Sequence, residues 1–150
     1  IYWLGMIFIF LALSFFDYLY YILQDRIIGI GFLASILYGL SSNRGGFIEG
    51  VLTGLALAGF FCIIFIVSQG DWMGFGDVKL AGLIGFALSF PLAVWSILAA
   101  IWIGALWGVG LLVIKKANLK TPLPFGTFMS VTVILSIIFR KYVEYFSPIF

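Results

Sequence analysis

The sequence contains no histidine and one cysteine, Cys62, in the middle of "LALAGFFCIIFIV". A lone thiol closes no internal disulfide, and Cys62 reads as a small buried hydrophobe. Without histidine or a cysteine pair, a zinc centre or a His-based relay is not expected, and carboxylates remain as the proton-handling groups. No metal and no other cofactor is therefore expected. Charge is scarce as well: charged residues make up 9% of the chain, and a net charge of +2 spread without any basic tract argues against a nucleic-acid partner.

What the chain has in excess is hydrocarbon. A 150-residue sequence that is 64% hydrophobic, with a mean hydropathy of +1.24, cannot cover itself with an ordinary soluble surface. Its first partner is membrane lipid. The apolar runs exceed the roughly 18 to 20 residues that cross a core of about 30 Å, and they recur too often to be signal peptides. They also lack the alternation of a barrel strand, so helices are the spanning element. The fold class expected is all-α, a polytopic membrane helical bundle of about six transmembrane helices, some short or tilted, forming one domain over residues 1–150. Because Ile1 opens the chain, the expectation is a fragment or processed form of a longer protein.

Apolar runs and polar breaks place the spans at residues 1–23, 27–40 and 47–69, separated by "QDR" and the turn signal "SSNRGG". From Val78 to Ile114 the apolar run would extend about 55 Å as one helix, too far for a single crossing. Ser89-Phe90-Pro91 is the best break, since proline removes a helical donor and restricts the residue before it. This gives spans at 78–90 and 92–114, and a sixth at 128–139 after "KKANLKTPLPFG". The tail "RKYVEYFSPIF" reads as interfacial. With six spans, Arg26, Lys79, Lys115, Lys116 and Lys120 share one side and Arg44, Arg140 and Lys141 the other. The more basic side is expected to be cytoplasmic. Asp17, Asp25, Asp71 and Asp77 fall on that same side, four of the six acids.

Two of these acids stand out. Asp17 lies inside the apolar run "LALSFFDYLYYILQDR" with no basic residue within a helical turn, and an intramembrane carboxylate is costly unless it meets a cavity or a partner. The alternative is an amphipathic extension with Asp17 wet at the interface. Asp77 follows Gly74 and Gly76 in "GDWMGFGDVKL", where it either caps the next helix or serves chemistry. The two glycines would let backbone approach Asp77 closely, or would merely loosen a loop. Asp71 and Asp25 fit ordinary loop roles. Two carboxylates brought together in a poorly solvated site share a proton, one acting as general base towards water and the other as general acid towards a scissile carbonyl. That is aspartyl protease chemistry, and it needs no metal, histidine or nucleophilic serine.

"GFGDVKL" resembles the GxGD signature of the type IV prepilin peptidase family, with Val78 and Lys79 in the places of the family's following hydrophobic residue and lysine. The family's other Asp precedes six residues and then Pro-Asp or Pro-Asn; Asp17 here precedes Leu23-Gln24-Asp25. A third element, Pro-Phe-Gly-Pro, looks like Pro124-Phe125-Gly126-Thr127. Gln24 and Thr127 depart from the family's prolines, which touches loop shape and removes no carboxylate. The resemblance covers residues 10–135. It implies a membrane-embedded aspartic endopeptidase that cuts the leader from type IV prepilins or pseudopilins at the inner-membrane cytoplasmic face, with Asp17 and Asp77 as the catalytic pair. Gly74, Gly76, Lys79, Asp25, Pro124, Phe125 and Gly126 would be supporting motif residues, Lys79 as a charge partner for a nearby carboxylate. Many bacterial members also carry a cysteine-paired N-terminal segment and N-methylate the trimmed pilin; with Cys62 alone, methyltransfer is not expected of this chain. Other readings are a further GxGD protease of the preflagellin or presenilin-like kind, a proton-coupled transporter, or a structural membrane subunit. The interval of 60 residues between the two Asp and the Pro-Phe-Gly element favour the prepilin branch. A transporter would call for inverted repeats and midplane polar groups, of which the sequence shows no repeat.

Overall fold

A computed structural model describes residues 1–42, 44–114 and 123–140. Among them are six helices: α1 (Tyr2–Tyr20), α2 (Asp25–Ser42), α3 (Arg44–Val67), α4 (Phe75–Leu88), α5 (Leu92–Val113) and α6 (Phe125–Ile138). The expected all-α bundle is what forms. α1, α3 and α5 are long and apolar enough to cross a membrane, whereas α4 and α6, at 14 residues each, extend about 21 Å. Lys115, Lys116, Lys120 and Lys141, and the tail beyond position 140, lie outside the described residues.

Several boundaries differ from the sequence reading, each for a local reason. α1 stops at Tyr20, three residues before the expected end, because Tyr21 takes a left-handed φ of 55° and returns its N–H to the Asp17 carbonyl at 2.8 Å. α2 begins at Asp25 and ends at Ser42, longer than the apolar run at both ends. α4 begins three residues early: Gly74, extended at φ −76° and ψ 153°, is its N-cap, so Asp77 lies within the first turn and is not the N-cap residue itself. α6 likewise starts at Phe125, three residues before the expected 128, with Pro124 as N-cap. The break at Ser89-Phe90-Pro91 is where the sequence places it, with Ser89 at φ 59° and Pro91 leading into α5.

α4 is the centre of the bundle. Ten of its 14 residues are buried, and it packs on α2, α3, α5 and α6. Around it the packed neighbours run α3–α2–α1–α6–α5, and α3 and α5 have no packed interface of that kind among the described residues. Small residues let α4 be enclosed. A Cβ added to Gly85 would stand 2.6 Å from the Gly54 Cα and 2.8 Å from the Thr53 carbonyl oxygen, so α3 and α4 meet backbone to backbone. The outside is the reverse of a soluble protein: Leu55, Ile63 and Val67 on α3 and Trp102 and Leu106 on α5 are each more than 60% exposed, while Asp17 and Asp77 are 6% and 8% exposed. Hydrocarbon faces outward and these two carboxylates face inward, as a lipid solvent requires.

Candidate active site

Asp17 sits in the last turn of α1 and Asp77 in the first turn of α4, and both line one cavity of about 970 Å³ at the end of the bundle where α1 and α3 finish and α2, α4 and α6 begin. Both carboxylates are buried side chains opening on this one space. Asp25, Asp71, Lys79 and Tyr21 line the same cavity, with an apolar wall of Phe60, Phe61 and Ile64 from α3, Ile101, Gly104 and Ala105 from α5, and Phe128 from α6. A space of this size accepts a peptide segment rather than an ion alone.

Two helix heads built alike create the site. Gly74-Phe75-Gly76-Asp77 opens α4 and Pro124-Phe125-Gly126-Thr127 opens α6, each with Phe first and Gly second in the helix. Both glycines abut the same side chain. A Cβ on Gly76 would meet Leu23 Cβ at 3.1 Å and Cδ1 at 3.2 Å; one on Gly126 would meet Leu23 Cδ1 at 3.0 Å and the Asp17 Cγ and Oδ2 at 3.1 Å. Leu23, in the α1–α2 connection, is thus the wedge on which both heads close. Gly126 is glycine because the Asp17 carboxylate occupies the space a side chain would need. The two phenylalanines anchor the heads to α3, Phe75 against Phe65 with ring centroids 5.4 Å apart and Phe125 against buried Phe61 at 6.0 Å.

The third position of each head does different work. In α4 it carries the Asp77 carboxylate. In α6 it is Thr127, whose backbone N–H and hydroxyl both donate to Asp17 Oδ2, at 2.6 and 2.9 Å. The same N–H also reaches the Pro124 carbonyl at 3.1 Å. A carboxylate in the last turn of a helix lies at the unfavourable end of its own dipole. The head of α6 supplies the compensating donors.

Lys79 pairs with Asp25 at 2.7 Å and stands 5.2 Å from the centre of the Phe75 ring, joining α4 to the first residue of α2. With Asp25 69% and Lys79 34% exposed, this pair is worth about 0–1 kcal/mol. Of the residues the sequence singled out, Asp17, Asp25, Gly74, Phe75, Gly76, Asp77, Lys79 and Phe125 all line the cavity; Gly126 touches Asp17 from behind, and Pro124 caps α6. Two residues were missed. Thr127 was read as a departure affecting loop shape, yet it lies in the first turn of α6 and grips a carboxylate. Leu23 gave no signal at all in a chain so rich in leucine.

The profile of the type IV leader peptidase family matches residues 4–109. The chain belongs to that family. Its relatives include the prepilin leader peptidase/N-methyltransferases of Pseudomonas aeruginosa, 29% identical over 126 residues, and of Pseudomonas putida, 30% identical over 129 residues. The corresponding protein of Aeromonas hydrophila is 27% identical over 125 residues. These alignments take in 80–81% of this chain and 43% of each relative, so the chain spans less than half the length of the curated relatives it matches. No solved structure matches the chain. The segment matching the leader peptidase family contains both Asp17 and Asp77 and stops short of α6; what ties the head of α6 to the leader peptidase core is the contact with Asp17.

Proposed function

We propose that this chain is the peptidase part of a prepilin leader peptidase, a membrane-embedded aspartic endopeptidase in which Asp17 and Asp77 are the catalytic pair. The observation that supports the reading most is the meeting of two buried carboxylates, 60 residues apart in sequence, in one cavity of a chain that holds no histidine. One carboxylate takes a proton from a water molecule as its oxygen attacks the scissile carbonyl. The other gives its proton to the carbonyl oxygen, and collapse of the tetrahedral species then returns a proton to the leaving amine. Gly74 and Gly76 keep the backbone beside Asp77 bare, Gly126, Phe125 and Pro124 seat the head of α6 against Asp17, and the Asp25–Lys79 pair joins the rim.

The substrate is a type IV prepilin or pseudopilin, a basic leader followed by an apolar helix. Asp71, with Asp25 paired to Lys79 beside it, gives the rim the charge that attracts such a leader, and the apolar wall from α3, α5 and α6 suits the start of the helix. The excess of Lys and Arg expected on the site's side supports placing it at the cytoplasmic face of the inner membrane. The test is processing of a co-expressed prepilin in membranes. Asp17→Asn and Asp77→Asn should each lower cleavage at least about 10³-fold, the scale of losing a general acid or base. Processing retained by either variant removes that residue from the pair.

A further inference from the structure

Thr127 engages only one oxygen of Asp17. Oδ2 accepts both the backbone N–H and the hydroxyl proton of Thr127, and donors of this kind favour the charged carboxylate and fix its plane. The hydroxyl has one proton and two acceptors in reach, Asp17 Oδ2 at 2.9 Å and the Ser14 carbonyl at 3.3 Å, and the shorter contact is to the carboxylate. Asp77 has a different setting, with the bare backbone of Gly74 beside its carboxylate: a Cβ on Gly74 would stand 4.0 Å from Asp77 Oδ2. The residue at position 127 also stands where the Pro-Phe-Gly-Pro element has its second proline, and proline has neither an N–H nor a hydroxyl to give.

From this asymmetry we infer that Thr127 is a positioning residue that holds Asp17 as the proton-accepting member of the pair, leaving Asp77 to carry the shared proton and deliver it to the scissile carbonyl. The inference rests on the proposed peptidase reading and deepens it. In the balanced step, water gives a proton to Asp17 through Oδ1, the oxygen Thr127 leaves free. The water oxygen bonds to the carbonyl carbon, and the carbonyl oxygen takes its proton from Asp77. The groups able to interfere are few. Tyr21, Asp25, Asp71, Asp77 and Lys79 share the cavity with Asp17, and Lys79 is engaged by Asp25 at 2.7 Å. Of the two helices packed on α1, α6 has no ionisable residue between 125 and 138, and α2 carries Asp25, exposed Arg26 and, at its far end, Tyr38 stacked on Tyr2.

The experiment uses the full chain in lipid or detergent with a purified prepilin, comparing Thr127→Ser, Thr127→Val and Thr127→Pro by kcat, KM, the pH profile of kcat and thermal melting. Proline is compatible with the third position of a helix, whose N–H has no partner four residues back. Serine should retain the native profile. Valine, isosteric but without the hydroxyl, should lower kcat about tenfold with KM little changed, and move the acidic limb of the profile up by about one pH unit, the scale of one hydrogen bond to a charged group. Proline, which lacks both donors, should move the limb further. A valine variant with the native kcat and limb overturns the inference. So does loss of kcat that tracks loss of melting temperature with the limb unmoved, the mark of a purely structural role. Either result leaves the aspartic reading intact, whereas cleavage by Asp17→Asn defeats both.

Discussion

Gly126→Ala perturbs the site with a single methyl group. Its Cβ would stand 3.1 Å from both Cγ and Oδ2 of Asp17 and 3.0 Å from Leu23 Cδ1, against about 3.5–4.0 Å for relaxed contact, so something must move by roughly half an ångström. Leu23 Cδ1 ends a flexible side chain and can turn away. The Asp17 carboxylate is held at 2.6 and 2.9 Å by Thr127 and cannot yield without stretching those bonds. Overpacking of this kind costs about 1–3 kcal/mol. Because a displacement of 1 Å in a reacting group can cost about 10²-fold, half that is expected to lower cleavage about tenfold. The assay is leader removal from a co-expressed prepilin, normalised to the amount of the variant in membranes. Adding Leu23→Ala removes the Cδ1 contact but neither contact to Asp17, so the double variant should recover little. In Gly76→Ala the three atoms nearest the new methyl are Cβ, Cδ1 and Cγ of Leu23, and Leu23→Ala should recover part of its loss. Full cleavage by Gly126→Ala with unchanged melting, or full rescue of it by Leu23→Ala, would refute the close fit of α6 against the carboxylate.

Other expectations follow from the packing. Gly85→Val places a side chain within 3 Å of the backbone of Gly54 and Thr53, which has nowhere to go, and should prevent stable accumulation in membranes; normal levels would contradict the α3–α4 contact. Lys79→Ala and Asp25→Ala should each change thermal stability by no more than about 1 kcal/mol, with a coupling energy of that size or less in the double-variant cycle, since the pair is largely solvated. Cys62→Ser and Asp71→Asn should retain most cleavage, Cys62 being a half-buried thiol on α3 and Asp71 an exposed carboxylate at the rim. A strong loss in either would mean that the chemistry uses a group outside the proposed pair.

The helices were legible because their signals are local. Apolar runs and the Ser89-Phe90-Pro91 break identify the elements without reference to anything distant. Their ends were less so: Phe75 and Phe125 open helices three residues ahead of the expected starts, because a Gly or Pro N-cap followed by Phe-Gly reads as loop until the ring finds its partner on α3. Asp17 and Asp77 drew notice from their settings, an acid in an oily run and an acid behind two glycines. Thr127 drew notice only as a departure from a motif, and its two bonds to Asp17 span 110 residues.

By itself the sequence determined the solvent, the helical class and which residue types were left to move protons, since composition and run length act through transfer energies that hold wherever the chain goes. Tertiary structure alone decided that the heads of α4 and α6 close on Leu23, that Gly126 gives up its side chain to make room for a carboxylate, and that the two oxygens of Asp17 are unequal. Those are matters of fit to within a few tenths of an ångström between segments far apart in the chain, and no local pattern of residues encodes such a distance.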